Sequence, residues 1–346
     1  MAPQPPSWRM PAEWEPHAAT WLAWPRNRKD WPGKFTAIPL VYAEIIRHLG
    51  RHERVELIVD DAQAEARATR LLARAGALGG NLGFRHWPTD RIWVRDSGCS
   101  FIKGDGLGAV QWRFNAWAKY PDWQRDREIG RRMAQAAGAR PVPALDGDRP
   151  VVLEGGSIEV NGRGTLITTE ECLLSQVQQR NAGLDRAGYE RVFARHLGVR
   201  QVIWLEGGIA GDDTHGHVDD LTRFVAADTV VTAVEPDPAQ PNHAPLQENL
   251  RRLRAARDQD GNPLRVLELP MPGPVRFGGQ ELPASYANFY IANGLVLVPV
   301  FNDRNDRLAL NLLAELFPDR EVVGVYAGDL VLGFGALHCL TQQQPV

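Results

Sequence analysis

A cysteine near the C-terminal end of the chain is the first residue whose surroundings could serve catalysis. Cys339 follows two glycines within residues 333–341, and glycines permit tight turns and a close approach of the backbone to a ligand. A thiolate is a strong nucleophile, so Cys339 is a candidate for covalent catalysis, although a lone cysteine is more often buried and inert. Cys99 and Cys172 are expected to be inert, because each stands beside a predicted strand without a polar cluster.

Imidazoles and carboxylates are concentrated in residues 211–220, Gly-Asp-Asp-Thr-His-Gly-His-Val-Asp-Asp. His217 could act as a general base, with Asp219 on the same face two residues later binding a cation. Alternatively, His215, His217 and an aspartate could hold a zinc ion, since His-x-His on a strand directs both rings to one side. A solvated polar loop also fits. The zinc interpretation is the weaker of the functional ones, because no Cys-x-x-Cys or His-Glu-x-x-His accompanies the segment.

Further carboxylates and an unusual tryptophan stand elsewhere in the chain. Asp96, in residues 93–98 (Trp-Val-Arg-Asp-Ser-Gly), would either pair with neighbouring Arg95 or face a ligand, and Glu154 before two glycines could cap a turn. Trp93 is embedded among polar residues, where its ring could cover a bound cation. A thiol among several carboxylates is an odd setting for acyl transfer, which must stabilise an oxyanion. The set suits a substrate that is itself a cation.

The composition of the whole chain limits the classes of binding partner that can be expected. The 346 residues carry a formal net charge of −3, so no global basic field indicates nucleic acid. The apolar windows are shorter than the ~20 residues of a membrane helix, and residues 1–6 lack the layout of a secretory signal. Three cysteines are too few, and odd in number, for a disulfide framework, which favours a reducing cytoplasm.

Five strand–helix–strand units must position these residues. They begin near residues 20, 109, 165, 229 and 295, and the first spacing holds an extra helix near 62–75 and an extra strand near 82–87. An open α/β sheet would fit this alternation equally well. The polar motifs, however, follow successive units, and a ring of pseudo-fivefold symmetry would direct all of them at one axis. We therefore expect a single catalytic domain over residues 1–346.

The helices of these units are predicted from apolar spacing. Helices are expected around residues 36–49, 124–137 and 184–197. The two later helices are defined by leucines at helical intervals, Leu246, Leu250 and Leu253 in one and Leu308, Leu312 and Leu316 in the other.

The chain resembles the agmatine deiminases and bacterial-type peptidyl-arginine deiminases of the guanidine-modifying (pentein) superfamily. The resemblance covers nearly the whole chain and is carried by motifs at residues 10–17, 93–98, 154–157, 211–219, 285–290 and 338–345. It implies an α/β fold, a five-bladed αβ propeller. It implies that Cys339 is the nucleophile, His217 the general acid/base and Glu154 a partner of the histidine and the substrate. Asp96 and Asp219 would bind the guanidinium, and Trp93 would line the substrate.

The activity implied by this resemblance is hydrolytic deimination through a cysteine-linked amidino intermediate. Agmatine and water would give N-carbamoylputrescine and ammonia, a step of putrescine and polyamine biosynthesis, with no cofactor and no metal. Peptidyl or free arginine is the alternative substrate. An amidinotransferase, a non-catalytic guanidinium-binding propeller and a zinc hydrolase are the rival functions. Propellers of this kind often pair, so a homodimer is one expected assembly, although no heptad identifies an interface.

Two departures from the family pattern concern the substrate tail. Many agmatine deiminases carry a Gly-Gly pair after Phe-Asn-Ala-Trp, where this chain has Ala118 and Lys119. The family usually has a glycine run with a polar residue before His-Cys, where this chain has Ala336 and Leu337. Both changes lie in predicted loops, so they leave the chemistry intact and leave the choice between agmatine and arginine open.

Overall fold

The computed structural model describes residues 8–346, so the predicted absence of a signal sequence at residues 1–6 lies outside the described residues. Short strands and helices alternate along this part of the chain, as in a mixed α/β protein. The strands are β1 (His17–Ala23), β2 (Val55–Val59), β3 (Leu82–His86), β4 (Ser100–Gly104), β5 (Gly106–Gln111), β6 (Arg140–Pro143), β7 (Leu145–Asp146), β8 (Arg149–Pro150), β9 (Glu159–Val160), β10 (Thr165–Thr169), β11 (Gln201–Leu205), β12 (Thr222–Ala226), β13 (Thr229–Val234), β14 (Arg265–Pro270), β15 (Arg276–Phe277), β16 (Gln280–Glu281), β17 (Tyr290–Ala292), β18 (Leu295–Val300), β19 (Glu321–Tyr326) and β20 (Gln342–Pro345).

The helices cover much of the remaining chain. They are α1 (Ile38–Leu49), α2 (Ala62–Arg74), α3 (Val94–Ser97), α4 (Ile129–Ala136), α5 (Glu170–Leu174), α6 (Arg186–Leu197), α7 (His243–Ala255), α8 (Asp306–Leu316) and α9 (Leu337–Leu340). Single 3₁₀ turns are formed by Arg28–Asp30, Asp126–Glu128, Gly155–Ser157, Val218–Asp220 and Leu330–Gly333. Within residues 8–346, no helix combines the length and the apolar character needed to cross a bilayer.

Five of the sheets share one pairing pattern. In each, a middle strand pairs in parallel with the strand that follows it across a helical connection, and antiparallel with its other neighbour. Parallel neighbours require such a crossover, which the helices of the units supply. The five predicted starting points all lie in these middle strands: β1, β5, β10, β13 and β18. The strand orders are β20-β1-β2-β3, β4-β5-β6, β9-β10-β11, β12-β13-β14 and β17-β18-β19, beside the two-stranded pairs β7-β8 and β15-β16.

Helical periodicity predicted the inward leucines of one late helix, whereas in another the leucines that marked the helix do not form its buried face. In α7, Leu246, Leu250 and Leu253 are all buried, as their spacing requires for one inward stripe. In α8, the stripe led by Leu308 was expected to mark the helix, but Leu308 is 58% exposed. Ala309 and Leu313 form the buried face instead. The inward stripe is displaced by one residue because the small Ala309 side chain lets α8 lie close to the strands β14 and β19.

A buried ion network ties the first described segment to the later strands. We use this name for Glu13, Arg95, Glu159 and Arg223. The Arg223 guanidinium donates to Glu13 at 2.8 Å and to Glu159 at 3.0 Å, and Arg95 donates to Glu13 at 3.1 Å. Arg95 is therefore committed to Glu13, and the alternative pairing of Asp96 with its neighbour Arg95 is wrong. The network holds the N-terminal segment on β9 and β12.

Candidate active site

Cys339 is anchored in the core by the strand that follows it. It lies in α9, and β20 begins three residues later and pairs antiparallel with β1, with Gln342 facing Trp21. A Cβ on Gly335 would lie 2.7 Å from the Trp93 ring and 3.1 Å from the Cβ of Cys339. A glycine is therefore needed where the chain passes between this tryptophan and the cysteine. The end of the chain thus holds a buried thiol against Trp93.

The sulfur of Cys339 lies among polar groups brought from two other segments. The side-chain amide of Asn288 donates to Sγ at 3.1 Å and to the Oδ1 of Asp220 at 2.9 Å. Sγ also lies 3.6 Å from the Oδ2 of Asp219. Asp219 and Asp220 end the 3₁₀ turn Val218–Asp220 that follows His217. We call Asp96, Asp219 and Asp220 the carboxylate cage.

Asp96 is fixed by two hydrogen bonds from segments distant in sequence. It lies in α3, and its Oδ1 accepts from the backbone amide of Gly156 at 3.0 Å while its Oδ2 accepts from the indole of Trp117 at 2.9 Å. Trp117 stands in a left-handed turn, with φ of 52° at Ala116, 58° at Trp117 and 54° at Ala118. Such angles are costly for residues other than glycine. This turn aims the indole at Asp96.

Gly156 marks the point where three of the predicted site residues meet. A Cβ at this position would lie 2.6 Å from the Nδ1 of His217 and 3.0 Å from both Asp96 Oδ1 and Asp219 Oδ2. Real Cβ atoms do not approach so closely, so only glycine fits here. The structure therefore brings together Asp96, His217 and Asp219, which are separated by up to 123 positions in the sequence.

His217 lies between two carboxylates without bonding to either. The ring is positioned by a loop that Asp212 stabilises. The Oδ2 of Asp212 accepts from the backbone amides of Gly216 at 2.7 Å and His217 at 3.2 Å. The Nδ1 of His217 lies 3.9 Å from Asp96 and its Nε2 lies 3.7 Å from Glu154. Within residues 8–346, neither ring nitrogen has a hydrogen-bond partner. Both are free to exchange a proton with a bound molecule.

Glu154 has a guanidinium and a second thiol beside it. Its two oxygens accept from the Nε of Arg180 at 3.2 and 3.3 Å, and Arg180 also donates to the carbonyl of Thr214 at 2.5 Å. Potential ligand atoms of Glu154, Cys172 and His217 all lie within 4.8 Å of one another. The prediction that Cys172 lacks a polar cluster is wrong. Its polar neighbours come from distant segments, since α5 brings Cys172 to His217 only in the fold.

His338 connects the carboxylate cage to the buried ion network. Its Nδ1 lies 2.7 Å from the Oδ2 of Asp219, and its Nε2 lies 2.8 Å from the Oε2 of Glu13. The residue before Cys339 therefore holds one oxygen of Asp219. The other oxygen of that carboxylate, Oδ1, has no hydrogen-bond partner within the described residues. It can accept a hydrogen bond from a bound substrate.

The charges around the sulfur are unbalanced. Burial, followed by the charges of Asp219, Asp220 and Asp96, raises the pKa of the Cys339 thiol well above its ordinary value. Burial and the neighbouring acids also raise the pKa of Asp96 to about 6. The pKa of Asp220 is raised well above its usual range, by burial first and then by Asp219. A cation placed among these groups would reverse each of these shifts.

The His217 imidazole, in contrast to the acids around the sulfur, is stabilised in its charged form. Burial alone would lower the pKa of His217, but attraction to Asp96 and the neighbouring Cys172 and Glu154 raise it well above its ordinary value. Burial opposes ionisation of Glu154, yet the Arg180 guanidinium and His217 hold the pKa of that carboxyl below its usual range. At neutral pH the site therefore contains a protonated imidazole beside an ionised glutamate.

A cavity of about 400 Å³ leads to the thiol. Trp93, Asp96, Trp117 and Cys339 line its floor, and Trp93 packs tilted on Trp31 at a centroid distance of 6.0 Å. The cavity size suits a small ligand. We call the more exposed part of its lining the mouth, which includes the apolar Pro32 and Phe277 beside Asn27, Lys29, Asp30, Arg91, Tyr120, Asp122 and Asp213. A flat cationic group could thus enter between aromatic rings and stop above the sulfur.

The geometry does not support the zinc alternative that used His215. Its Nε2 lies 3.1 Å from the hydroxyl of Ser175 and its Nδ1 lies 3.5 Å from Glu171. Among residues 8–346, the group of potential metal ligands is Glu154, Cys172 and His217. Arg180 already neutralises this glutamate at bonding distance, so its positive charge would repel a metal ion there.

Several residues of the site were not singled out from the sequence. Glu13, Asn288 and His338 lie within motifs at residues 10–17, 285–290 and 338–345, so their segments carried a signal but no role. Their contacts with the site cross 50 or more positions. Cys172 and Arg180 carried no signal of their own.

Comparison with known proteins agrees with this arrangement. A family described as Porphyromonas-type peptidyl-arginine deiminase matches residues 9–345. An agmatine deiminase of Stutzerimonas stutzeri is 37% identical, covering 99% of this chain and 97% of the relative. The solved agmatine deiminase of Enterococcus faecalis superposes with a TM-score of 0.90 at 30% identity, over 100% of this chain and 98% of that chain.

A second solved relative extends the comparison to a ligand complex. A C. jejuni agmatine deiminase, in which serine replaces a cysteine and substrate is bound, superposes with a TM-score of 0.86. It is 28% identical, over 97% of this chain and 96% of that chain. These relatives share the mixed α/β fold of the pentein superfamily, and the matches span the whole candidate site. The chain therefore belongs to the agmatine deiminase and Porphyromonas-type peptidyl-arginine deiminase family.

Proposed function

We propose that this protein hydrolyses agmatine to N-carbamoylputrescine and ammonia through a covalent intermediate on Cys339. The observation that carries the proposal is the carboxylate cage, which surrounds a buried thiol with three acids, of which Asp96 and Asp220 have raised pKa values. Full-length relatives named agmatine deiminase, 37% identical to this chain, support the same reaction.

Asp96 and Asp219 are the proposed guanidinium ligands. A guanidinium presents paired N–H donors in one plane, which carboxylates accept in a bidentate manner. The Oδ1 of Asp219 has no hydrogen-bond partner within the described residues, and Asp96 lines the same cavity as Cys339. Trp93, packed against the same cavity, would cover the cation with its ring. Together these groups would fix the central carbon over the sulfur.

The arriving substrate would also help to generate the nucleophile. In the empty site the raised pKa of Cys339, caused by burial and by Asp219, Asp220 and Asp96, keeps the sulfur protonated. The positive charge of a guanidinium cancels part of the field of these acids and favours the thiolate. The sulfur would therefore become reactive when the substrate is in place, and the released proton passes to solvent.

His217 is the proposed acid and base. In the first half, the thiolate forms a bond to the guanidinium carbon, and the carbon–nitrogen bond breaks as His217 protonates the departing nitrogen, which leaves as ammonia. An amidino-thioether on Cys339 remains. In the second half, the neutral imidazole takes a proton from water, whose oxygen adds to the same carbon. The carbon–sulfur bond then breaks, the remaining proton of the added oxygen passes to the sulfur, and a urea product leaves. Glu154, held by Arg180, orients the ring and stabilises its charged form.

The cavity supports a small substrate over a peptide. Its volume of about 400 Å³ suits agmatine, and Asp30, Asp122 and Asp213 at the mouth could attract a terminal ammonium. Peptidyl or free arginine, which would bring a backbone or a carboxylate to this mouth, is the alternative. An amidinotransferase would use the same scaffold and the same intermediate but would transfer the amidino group to an amine.

The proposal includes the architecture and the assembly. We propose that the five mixed sheets form the five blades of an αβ propeller and that residues 1–346 make up one catalytic domain. The site residues come from segments that follow different sheets, which supports this arrangement. A homodimer and a cytoplasmic location complete the proposal, the latter supported by three free cysteines.

A panel of guanidino compounds tests the function. We expect the purified protein to release ammonia and N-carbamoylputrescine from agmatine, without any added amine, and to turn over arginine and peptide-embedded arginine at least about a hundred times more slowly. A ureido product that appears only when an amine acceptor is added would favour the amidinotransferase. Faster turnover of the arginine peptide would replace agmatine by peptidyl arginine.

A further inference from the structure

Asn288 contacts the reacting sulfur but has so far been given no role in the reaction. It lies in the loop before β17, is fully buried, and uses every hydrogen-bonding atom of its side chain within this site. Its Nδ2 donates to the Sγ of Cys339 at 3.1 Å and to the Oδ1 of Asp220 at 2.9 Å. Its Oδ1 accepts from the backbone amide of His338 at 3.0 Å and from that of Cys339 at 3.4 Å.

The orientation of the amide follows from these partners. Backbone N–H groups can only donate, so the side of the Asn288 amide that faces His338 and Cys339 must be the oxygen. The nitrogen therefore points at the sulfur and at Asp220, where both neighbours can accept. The backbone carbonyl of Asn288 also accepts from the amide of His338 at 3.1 Å. One residue thus fixes the turn that carries the nucleophile and directs an N–H bond at its reacting atom.

The electrostatics of the sulfur give this N–H a function. Asp219, Asp220 and Asp96 surround the thiol and disfavour its ionisation, and the Oδ2 of Asp219 lies 3.6 Å from the sulfur. A hydrogen bond donated to sulfur acts in the opposite direction, because it is stronger when the sulfur is negative. Protonation of Asp220, whose pKa is raised by burial and by Asp219, leaves an oxygen that still accepts from Asn288. Asp220 thus fixes the orientation of the Asn288 amide in either protonation state, and the amide still donates to the sulfur.

We propose that Asn288 is a further catalytic residue of this enzyme, which stabilises the Cys339 thiolate by donating a hydrogen bond to its sulfur and fixes the direction of that sulfur through the backbone of residues 338–339. This inference rests on the proposed covalent function of Cys339. It adds to that function a donor for the sulfur, which the carboxylates and the imidazole do not supply.

The test uses Asn288→Asp in the full chain. This variant keeps the shape and the oxygen that accepts from the two backbone amides, and it loses the N–H that faces the sulfur. We expect kcat for agmatine to fall about 10- to 100-fold, the range set by one hydrogen bond to a charged group, while KM changes by less than about threefold. Alkylation of Cys339 by neutral iodoacetamide, followed by peptide mass spectrometry, should show its pH midpoint raised by about one unit or more.

Asn249→Asp is the matched control. Asn249 is also fully buried and also bonds through both ends of its amide, accepting from the amide of Glu206 and donating to the carbonyl of Gly207, each at 2.8 Å. This variant should lower thermal stability but leave the alkylation midpoint of Cys339 unchanged. If the midpoint moved equally in both variants, the shift would come from a general loosening of the fold, and the proposal would be wrong.

The alkylation readout separates this inference from the proposed function. It reports on the sulfur even if the wild-type protein does not turn over agmatine, in which case the function fails while the role of Asn288 is still tested. A wild-type midpoint in Asn288→Asp, with kcat within about twofold, would overturn the inference. Asn288→Ala is measured beside Asn288→Asp, because a new carboxylate near the sulfur would by itself raise the midpoint, whereas alanine removes the same donor without adding a carboxyl. An unchanged midpoint in Asn288→Ala would overturn the inference.

Discussion

Two clusters of buried acids lie side by side in this protein and differ in how their charges are compensated. In the buried ion network, Glu13 accepts from Arg223 and Arg95, and Glu159 accepts from Arg223. In the carboxylate cage, burial and the charge of Asp219 raise the pKa of Asp220, and an oxygen of Asp219 lies 3.6 Å from the Cys339 sulfur. His338 lies between the clusters, 2.8 Å from Glu13 and 2.7 Å from Asp219.

The pKa values of Glu13, Asp96 and Asp220 follow this difference. Two carboxyls do not: burial and then Glu13 raise the pKa of Glu159 despite Arg223, and His338, with His217 and Arg223, holds the pKa of Asp219 below its usual range although burial opposes this. Burial would raise the pKa of Glu13, but Arg223, His338 and Arg95 hold it well below its usual range. Burial and the neighbouring acids raise the pKa of Asp96 to about 6, and burial and Asp219 raise that of Asp220 well above its usual range. Uncompensated buried charge is costly to the fold. The chain therefore compensates the charge of Glu13 with its own cations and leaves Asp96 and Asp220 to be compensated by a bound cation.

Removal of a cage carboxylate should have the largest effect on activity. Asp96→Asn would cost about 10³-fold or more in kcat/KM for agmatine, since it deletes a charge-assisted contact to the guanidinium. Its thermal stability should equal or exceed that of the wild type near pH 8. The reason is that a carboxyl whose pKa is raised on folding destabilises the fold at pH values above both its unfolded and folded pKa. Ammonia release and thermal unfolding measure the two effects.

Asp126→Asn is a matched control for that variant. Asp126 is buried, burial first and Asp90 next raise its pKa to about 7, and it accepts from the backbone amides of Asp90 and Arg91. It does not line the cavity that leads to the sulfur, so the variant should retain most activity. A loss of activity in this control as large as that of Asp96→Asn would remove the distinction between the cage and other buried acids.

Removal of a network carboxylate should act on stability. Glu13→Gln leaves Arg223 and Arg95 buried without their shared anion, which costs about 3–5 kcal/mol of unfolding free energy. The pKa of Glu13 is depressed in the fold, so its contribution is present above the unfolded pKa and is lost as the pH falls through the folded value. Denaturant unfolding at neutral pH measures the loss. A denaturation midpoint equal to that of the wild type would show that this network does not stabilise the fold.

The pH dependence of the kinetic constants separates the free carboxylate cage from the cage with substrate bound. The acid limb of kcat/KM, which reports the free enzyme, should lie near pH 6, because protonation of Asp96 removes a guanidinium ligand. The acid limb of kcat should lie at lower pH, since a bound guanidinium favours the ionised carboxylate. Initial rates of ammonia release over a series of buffers would give both limbs. Coincident limbs would mean that the substrate does not compensate the charge of Asp96.

The smallest expected effect concerns the mouth of the cavity. Lys119 forms an ion pair with Asp213, and the hydroxyl of Tyr120 donates to the same carboxylate at 2.6 Å. Lys119→Gly would free this acid for the terminal ammonium of agmatine and lower KM by less than about fivefold, with kcat unchanged, because exposed pairs contribute little. The uncharged-tail analogue butylguanidine should show no change. A change in kcat instead would connect Lys119 to the chemistry.

The sequence predicted the helices and strands well where one face was apolar and less well where small residues decided the packing. The stripe Leu246, Leu250 and Leu253 of α7 is buried because leucines at these intervals have no alternative inward face. In α8, Ala309 lies inward and Leu308 outward, since the close approach of two strands selects the smaller side chain. Apolar spacing contains no information about how near a neighbouring strand will lie.

The reactive residues of the candidate site could be predicted from the sequence, whereas the residues that position them could not. Cys339, His217, Asp96 and Asp219 stand in recognisable motifs, and the structure brings them together. Cys172 stands beside a strand without polar neighbours in sequence, yet it lies next to His217 in the fold. Such contacts depend on how distant segments fold together, which local patterns do not encode.

The central claim is that the cage holds a guanidinium long enough for the sulfur of Cys339 to attack it. Intact-mass analysis of enzyme quenched in acid during turnover of agmatine tests this directly. We predict a covalent adduct on Cys339 with the mass of agmatine less ammonia, absent from the Cys339→Ala variant. Full turnover by that variant, with no adduct on the wild-type enzyme, would contradict the account.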